Sequence, residues 1–106
     1  MDEVTRRRLL EDVKIQLNIT WTDFTTDSRV LALIDNGAAY LGDKLGENPD
    51  FLSPGFPRSL MFEYVRYARD EALDVFENNY QSLILAMQHN RRVAAYDLES
   101  TKAPGT

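Results

Sequence analysis

A chain of 106 residues has room for one hydrophobic core; with 43% apolar residues and no cysteine, that core holds by packing alone, without disulfides or thiolate metal sites. Seventeen acidic residues against twelve basic ones leave a net charge of -5, which opposes an electrostatic grip on nucleic acid or anionic lipid. The longest apolar runs, Val30 to Ile34 and Leu83 to Met87, fall far short of the roughly 18 residues a membrane span needs, and no apolar stretch follows Arg6-Arg7-Arg8 to make a secretory signal.

Val4, Leu9, Leu10, Val13 and Leu17 recur near helical spacing and predict a first helix over about 3–17, with Arg7 to Glu11 and Arg8 to Asp12 as outer-face pairs and Asn18 as the stop. The segment from Ile19 to Thr26 is rich in β-branched and cap-forming residues and reads as a connecting loop anchored by Trp21 and Phe24. Asp27 is a good N-cap for a second helix, whose apolar stripe is Leu31, Ile34, Ala38, Leu41 and Leu45. Lys44, Gly46 and Pro49 mark its end, and Gly37 and Gly42 inside it permit close helix packing.

Three prolines and two glycines between Gly46 and Arg58 predict a long irregular loop, pinned by Phe51, Leu52 and Phe56. From Ser59 a helical pattern resumes through Met61, Val65, Ala68, Ala72, Val75 and Phe76, widened by Leu60, Tyr64 and Tyr67. Asn78-Asn79 predicts a kink or short break, after which Tyr80, Leu83, Ile84 and Met87 carry the period on towards Arg91 and Arg92. The pattern fades beyond Ala95. The expectation is an all-α bundle of three to four helices over 1–95, with a long Pro/Gly-containing loop before the third helix and a mobile tail over 96–106.

Residues able to carry chemistry are sparse. His89 is the single histidine, and Ser82 lies two turns from it along one helix, too far for a nucleophile and its base. Asp70, Asp74 and Glu77 stand at i, i+4 and i+7, an acidic stripe that reads as a solvated face because no second helix offers Glu-x-x-His or other metal ligands. Neither catalytic residues, a metal nor a cofactor is expected. Arg6, Arg7 and Arg8 form the main basic cluster, with Arg66 and Arg69 a smaller one, and acidic neighbours offset both. Tyr64, Tyr67, Phe76 and Tyr80 have the spacing of core and rim, not of a base-stacking platform.

The order of these signals resembles the head-tail connector, or adaptor, proteins of long-tailed phages and prophages. The resemblance rests on Leu10-Glu11-Asp12-Val13-Lys14 leading to Leu17-Asn18-Ile19-Thr20-Trp21, and on the stripe ending Tyr40-Leu41-Gly42-Asp43-Lys44-Leu45-Gly46. It continues through Leu60-Met61-Phe62-Glu63-Tyr64-Val65-Arg66-Tyr67, Ala72-Leu73-Asp74-Val75-Phe76-Glu77-Asn78-Asn79-Tyr80 and Leu83 to Met87. Specificity comes from order and spacing, since none of these pieces is a catalytic signature.

The resemblance implies a non-enzymatic virion subunit, assembled in the host cytoplasm, that joins copies of itself, commonly twelve, in a ring between the portal protein and the next connector or tail protein. Double-stranded DNA passes through such a ring. Phe51, Leu52, Phe56, Arg66 and Arg69 are then the candidate ring or partner contacts, Tyr96 and Leu98 a candidate portal-docking tail, and Asp70, Asp74 and Glu77 a candidate acidic channel lining. The rival readings are a small helical DNA-binding regulator using Arg6 to Arg8, and a host protein-interaction adaptor.

Overall fold

A computed structural model describes the backbone of residues 1–46 and 49–102, and the side chains of these except at 91 and 94–102. Four helices are found among these residues: α1 (Glu3–Gln16), α2 (Phe24–Leu45), α3 (Phe56–Arg69) and α4 (Leu73–Lys102). No strand occurs among the described residues.

Helix α1 starts where the Asp2 side chain accepts the Thr5 backbone N–H at 2.7 Å, and it ends at a left-handed Asn18, φ 58°, that lets Ile19 N–H reach back to the Lys14 carbonyl. Helix α2 begins one turn earlier than expected. Asp23, not Asp27, is its N-cap, because the Asp23 carboxylate takes both the backbone N–H and the hydroxyl of Thr26. Thr25 and Thr26, which argue for a loop by propensity, are recruited into the first turn by that cap. Asp27 is thereby freed to turn inward, and the far end matches expectation, with Gly46 at φ 82° donating its N–H to the Gly42 carbonyl.

α1 and α2 run antiparallel, tied by Arg6 to Asp35 at 2.9 Å near one end and by Lys14 to Asp27 at 3.0 Å near the other. Lys14 is 5% exposed, which is unusual for a lysine without a partner. Its contact with Asp27 Oδ1 is a charge pair outside hydrogen-bond alignment, so the oxygen is electrostatically compensated though it accepts no aligned donor.

The most extensive packing is between α2 and α3. Gly37 makes it close: a Cβ built there meets Met61 Sδ and Tyr64 Cδ1, each at 2.9 Å. The core collects Leu9, Leu10 and Val13 from α1, Val30, Leu31, Ile34 and Leu41 from α2, and Leu60, Met61, Tyr64 and Val65 from α3, with Ile19 and Phe51 closing it. Among the described residues, helix α4 adds only Phe76 and Ile84 to the buried set.

The break expected at Asn78-Asn79 lies instead at residues 70–72, where Glu71 takes φ 56° and Ala72 N–H bonds the Tyr67 carbonyl at 2.8 Å. Both asparagines ride the exposed side of an unbroken α4, where their amides reach water or, for Asn79, the Tyr67 hydroxyl, and so do not compete for the helix backbone. The fading pattern after Ala95 does not end the helix either, whose backbone continues to Lys102. The side chains of the predicted tail and residues 103–106 lie outside the described residues.

Two substitutions test this packing. Gly37→Ala forces α3 off α2 and is expected to lower stability by about 1–3 kcal/mol in urea unfolding. Asp27→Ala leaves a buried ammonium unpaired and is expected to cost about 3 kcal/mol, whereas the double change Lys14→Met with Asp27→Leu recovers most of that loss.

Candidate assembly surfaces

The residues grouped by sequence as a partner surface are divided by the fold. Phe51 is buried and belongs to the subunit's own core, which removes it from the candidate contacts; Leu52 is half-buried. Only Phe56 of the three is open, 58% exposed at the first position of α3. Arg66 and Arg69 sit elsewhere, beside Gln16, Leu17, Asn18 and Asp70 around a hollow of about 310 Å³ at the C-terminal ends of α1 and α3. Arg66 also stands 3.7 Å from Glu63.

The loop itself is held by a residue that sequence reading passed over. Arg58 bonds Asp12 of α1 at 2.9 Å, donates to the carbonyls of Phe51 and Leu52, and lies over the Phe62 ring at 4.7 Å. Asp50 Oδ1 accepts the backbone N–H groups of Leu52 and Ser53, completing an Asx turn whose hydrogen bonds hold the Asp50 carboxyl below the usual carboxylate range. A lone arginine after three prolines carries no periodic signal, so its role becomes visible only when α1 is packed beside it.

The two expected loop anchors on the other side face water. Phe24 is the most open large apolar side chain among the described residues at 87% exposure, and Trp21 is 50% exposed with its indole N–H on the Thr26 hydroxyl. Because Asp23 pulls the helix start forward, Phe24 becomes the first helical residue and points out of the bundle instead of into it.

The basic cluster is largely occupied within the subunit. Arg6 makes a two-pronged contact with Asp35 and also meets Glu3, while Arg7 pairs with Glu3 in place of the expected Glu11. Asp12, the expected partner of Arg8, is taken by Arg58. Arg8 is exposed.

Asp70, Asp74 and Glu77 are all exposed, but they do not form a stripe on one helix. Asp70 caps α3, and the turn at Glu71 separates it from Asp74 and Glu77 on α4. Among the described residues no group of three or more His, Cys, Asp or Glu side chains is placed to hold a metal ion, and no helix is long and apolar enough to cross a membrane. His89 and Ser82 are exposed on α4. Tyr96 and Leu98 fall on the helical backbone of α4, with side chains outside the described set.

An aromatic cluster joins α2, α3 and α4 around Phe76, which is fully buried. Its ring centroid lies 5.0 Å from Tyr80, 5.6 Å from Tyr64, and 6.2 Å from both Tyr40 and Tyr67. Tyr40 lies on the flank of the α2 stripe, so periodicity alone does not join it to these rings. Beside the cluster, Tyr40, Lys44, Glu77, Gln81 and Leu85 line an open groove of about 260 Å³ between α2 and α4, closed at one end by Gln88 bonding the Lys44 carbonyl. Burial first, then nearby carboxylates, pushes the Tyr40, Tyr64 and Tyr80 hydroxyls above their ordinary pKa.

No protein-family model, curated protein or solved structure matches the chain. The molecule is a small helical bundle with open aromatic side chains at two of its corners.

Tyrosinate absorbance should therefore titrate later than the ordinary value of about 10 for these three rings. A raised folded-state pKa stabilises fully below the unfolded value, so the contribution is present below about pH 10 and is lost as pH rises further. Phe76→Ala should cost about 3–5 kcal/mol and return the tyrosine titration towards the ordinary value.

Proposed function

We propose that this chain is a head-tail connector subunit of a long-tailed phage or prophage. It assembles as a ring beneath the portal protein, receives the next connector or tail protein on its other side, and lets double-stranded DNA pass through. The ordered set of segments between residues 10 and 87 carries the assignment to this family. What supports a subunit of an assembly more generally is the exposure of Trp21, Phe24 and Phe56, large apolar side chains left on the outside, whereas the other described aromatic residues are buried or half-buried.

A heterologous ring joins two different surfaces of each subunit. The Trp21 and Phe24 corner at the start of α2 and the Phe56 corner at the start of α3 supply two such surfaces on separate helix ends. Arg66 and Arg69 add a basic contact beside the end of α1. In this reading Asp70, Asp74 and Glu77 line the passage, where carboxylates repel the DNA backbone and keep it from adhering. The DNA-regulator alternative is disfavoured by the capture of Arg6 and Arg7 in ion pairs with Glu3 and Asp35 and by the net charge of -5.

The test is affinity capture of the tagged chain from source cells whose prophage has been induced, with bound proteins identified by mass spectrometry. Recovery of a portal-sized capsid protein together with small tail-side proteins is the expected result, and Phe24→Asp should abolish it while leaving the helical circular-dichroism signal intact. Recovery of DNA fragments alone, or of host proteins alone, would overturn the connector reading.

A further inference from the structure

The outer face of α4 differs from every other solvent face of the bundle. From Asn78 to Asn90 the chain holds no Asp, Glu, Lys or Arg, although 27% of all its residues are charged. The exposed side of α1, by contrast, presents Arg7, Arg8 and Glu11, and that of α2 presents Arg29, Asp35 and Asp43.

Asn78, Ser82, Leu85, His89 and Arg92 follow one another at steps of four and three along this face, and all are exposed. Val75, Ala86 and Val93 flank the seam on one side and the α2–α4 groove, whose lip Asn78 and Leu85 share, on the other; Leu85 at the centre is 54% exposed. Gln88 reaches the Lys44 carbonyl, but His89, Asn90, Arg92 and Val93 beyond it are all open to solvent. The backbone nevertheless stays helical from residue 89 to Lys102, a length of roughly 21 Å. A helix turn whose described side chains, His89, Asn90, Arg92 and Val93, all face solvent gains little from packing within the subunit, so a partner there would stabilise it.

Charge selects the partner. Going along α4, Asp74 and Glu77 come first, the uncharged seam follows, and Arg92 closes it. A second copy of the same helix laid antiparallel, with Leu85 against its own counterpart, places Arg92 beside Asn78, Glu77 and Asp74 of that copy and Ser82 opposite His89. A parallel copy sets acid against acid and arginine against arginine. We infer that the free protein pairs with a second copy of itself through the outer face of α4, antiparallel and centred on Leu85. This two-fold contact is isologous and so goes beyond the ring-forming contacts of the connector reading. It covers the open helix in the free protein.

The experiment is sedimentation of the full chain over a concentration series, combined with single-cysteine crosslinking, which the absence of native cysteine makes clean. A dimer is expected. Leu85→Glu should raise its dissociation constant by about tenfold or more, since Leu85 sits at the centre of the contact. Arg92→Glu should also weaken it, and the added change Glu77→Arg should restore it.

Under mild oxidation Leu85→Cys should crosslink to itself. Asn78→Cys should not, because antiparallel helices hold the two copies of that position about 21 Å apart whereas a disulfide needs Cα atoms within about 7 Å. A chain that stays monomeric throughout, an oligomer unaffected by Leu85→Glu, or self-crosslinking of Asn78→Cys as efficient as that of Leu85→Cys would each overturn the inference. The cysteine variants decide the matter even if a charged variant fails to fold.

Discussion

The close approach of α3 to α2 over Gly37 governs the placement of everything that follows the long loop. With no Cβ at Gly37, Met61 Sδ and the Tyr64 ring lie against the α2 backbone. Tyr64 seated there presents its ring to Phe76, and Phe76 in turn gathers Tyr40, Tyr67 and Tyr80. Helix α4 is thus positioned by Phe76 and its tyrosine neighbours, with Ile84 and the partly buried Leu83 and Met87 carrying the same face along the core. An aromatic contact of this kind is directional as well as apolar, because edge-to-face rings prefer particular angles. That gives α4 a defined direction from few residues, and it leaves most of the helix circumference free.

The first half of the subunit is organised differently, by ion pairs that bridge elements distant in sequence. Lys14 with Asp27, Arg6 with Asp35 and Arg58 with Asp12 all involve α1, and each joins it to a different point on the rest of the chain. The Lys14 pair is enclosed and sets the register between α1 and α2, whereas the Arg6 pair is more open and more sensitive to salt. These contacts also shape the outer surface. Arg6, Lys14 and Arg58, held in ion pairs within the subunit, are not offered to an external polyanion, while the chain carries a net charge of -5 and leaves Trp21, Phe24 and Phe56 exposed. A surface of that kind favours protein contacts over nucleic-acid contacts, which is the physical content shared by the connector proposal and the α4 pairing.

Composition and periodicity determined the helical class, the extent of α1, the Gly46 stop of α2 and the role of Gly37, because each follows from local propensity or from a face pattern within one helix; the loop expected through Arg58 ends sooner, since α3 begins at Phe56 with Pro57 in its first turn. Tertiary structure decided what depends on partners far along the chain. Asp23 and Asp27 are equally good caps by type; Asp23 takes the Thr26 N–H and hydroxyl, and Asp27 meets Lys14 of another helix, a partner that no local pattern reveals. The chain reversal at residues 70–72 carries no glycine or proline; it is set by the need to return Phe76 to Tyr64, so Asn78-Asn79 was the stronger local signal and the wrong one. For the same reason Phe24 emerged as an exposed residue and Phe51 as a buried one. Hydrophobicity says that a side chain favours burial, but only the packed helices determine which aromatic residues find room inside and which are left for another molecule to cover.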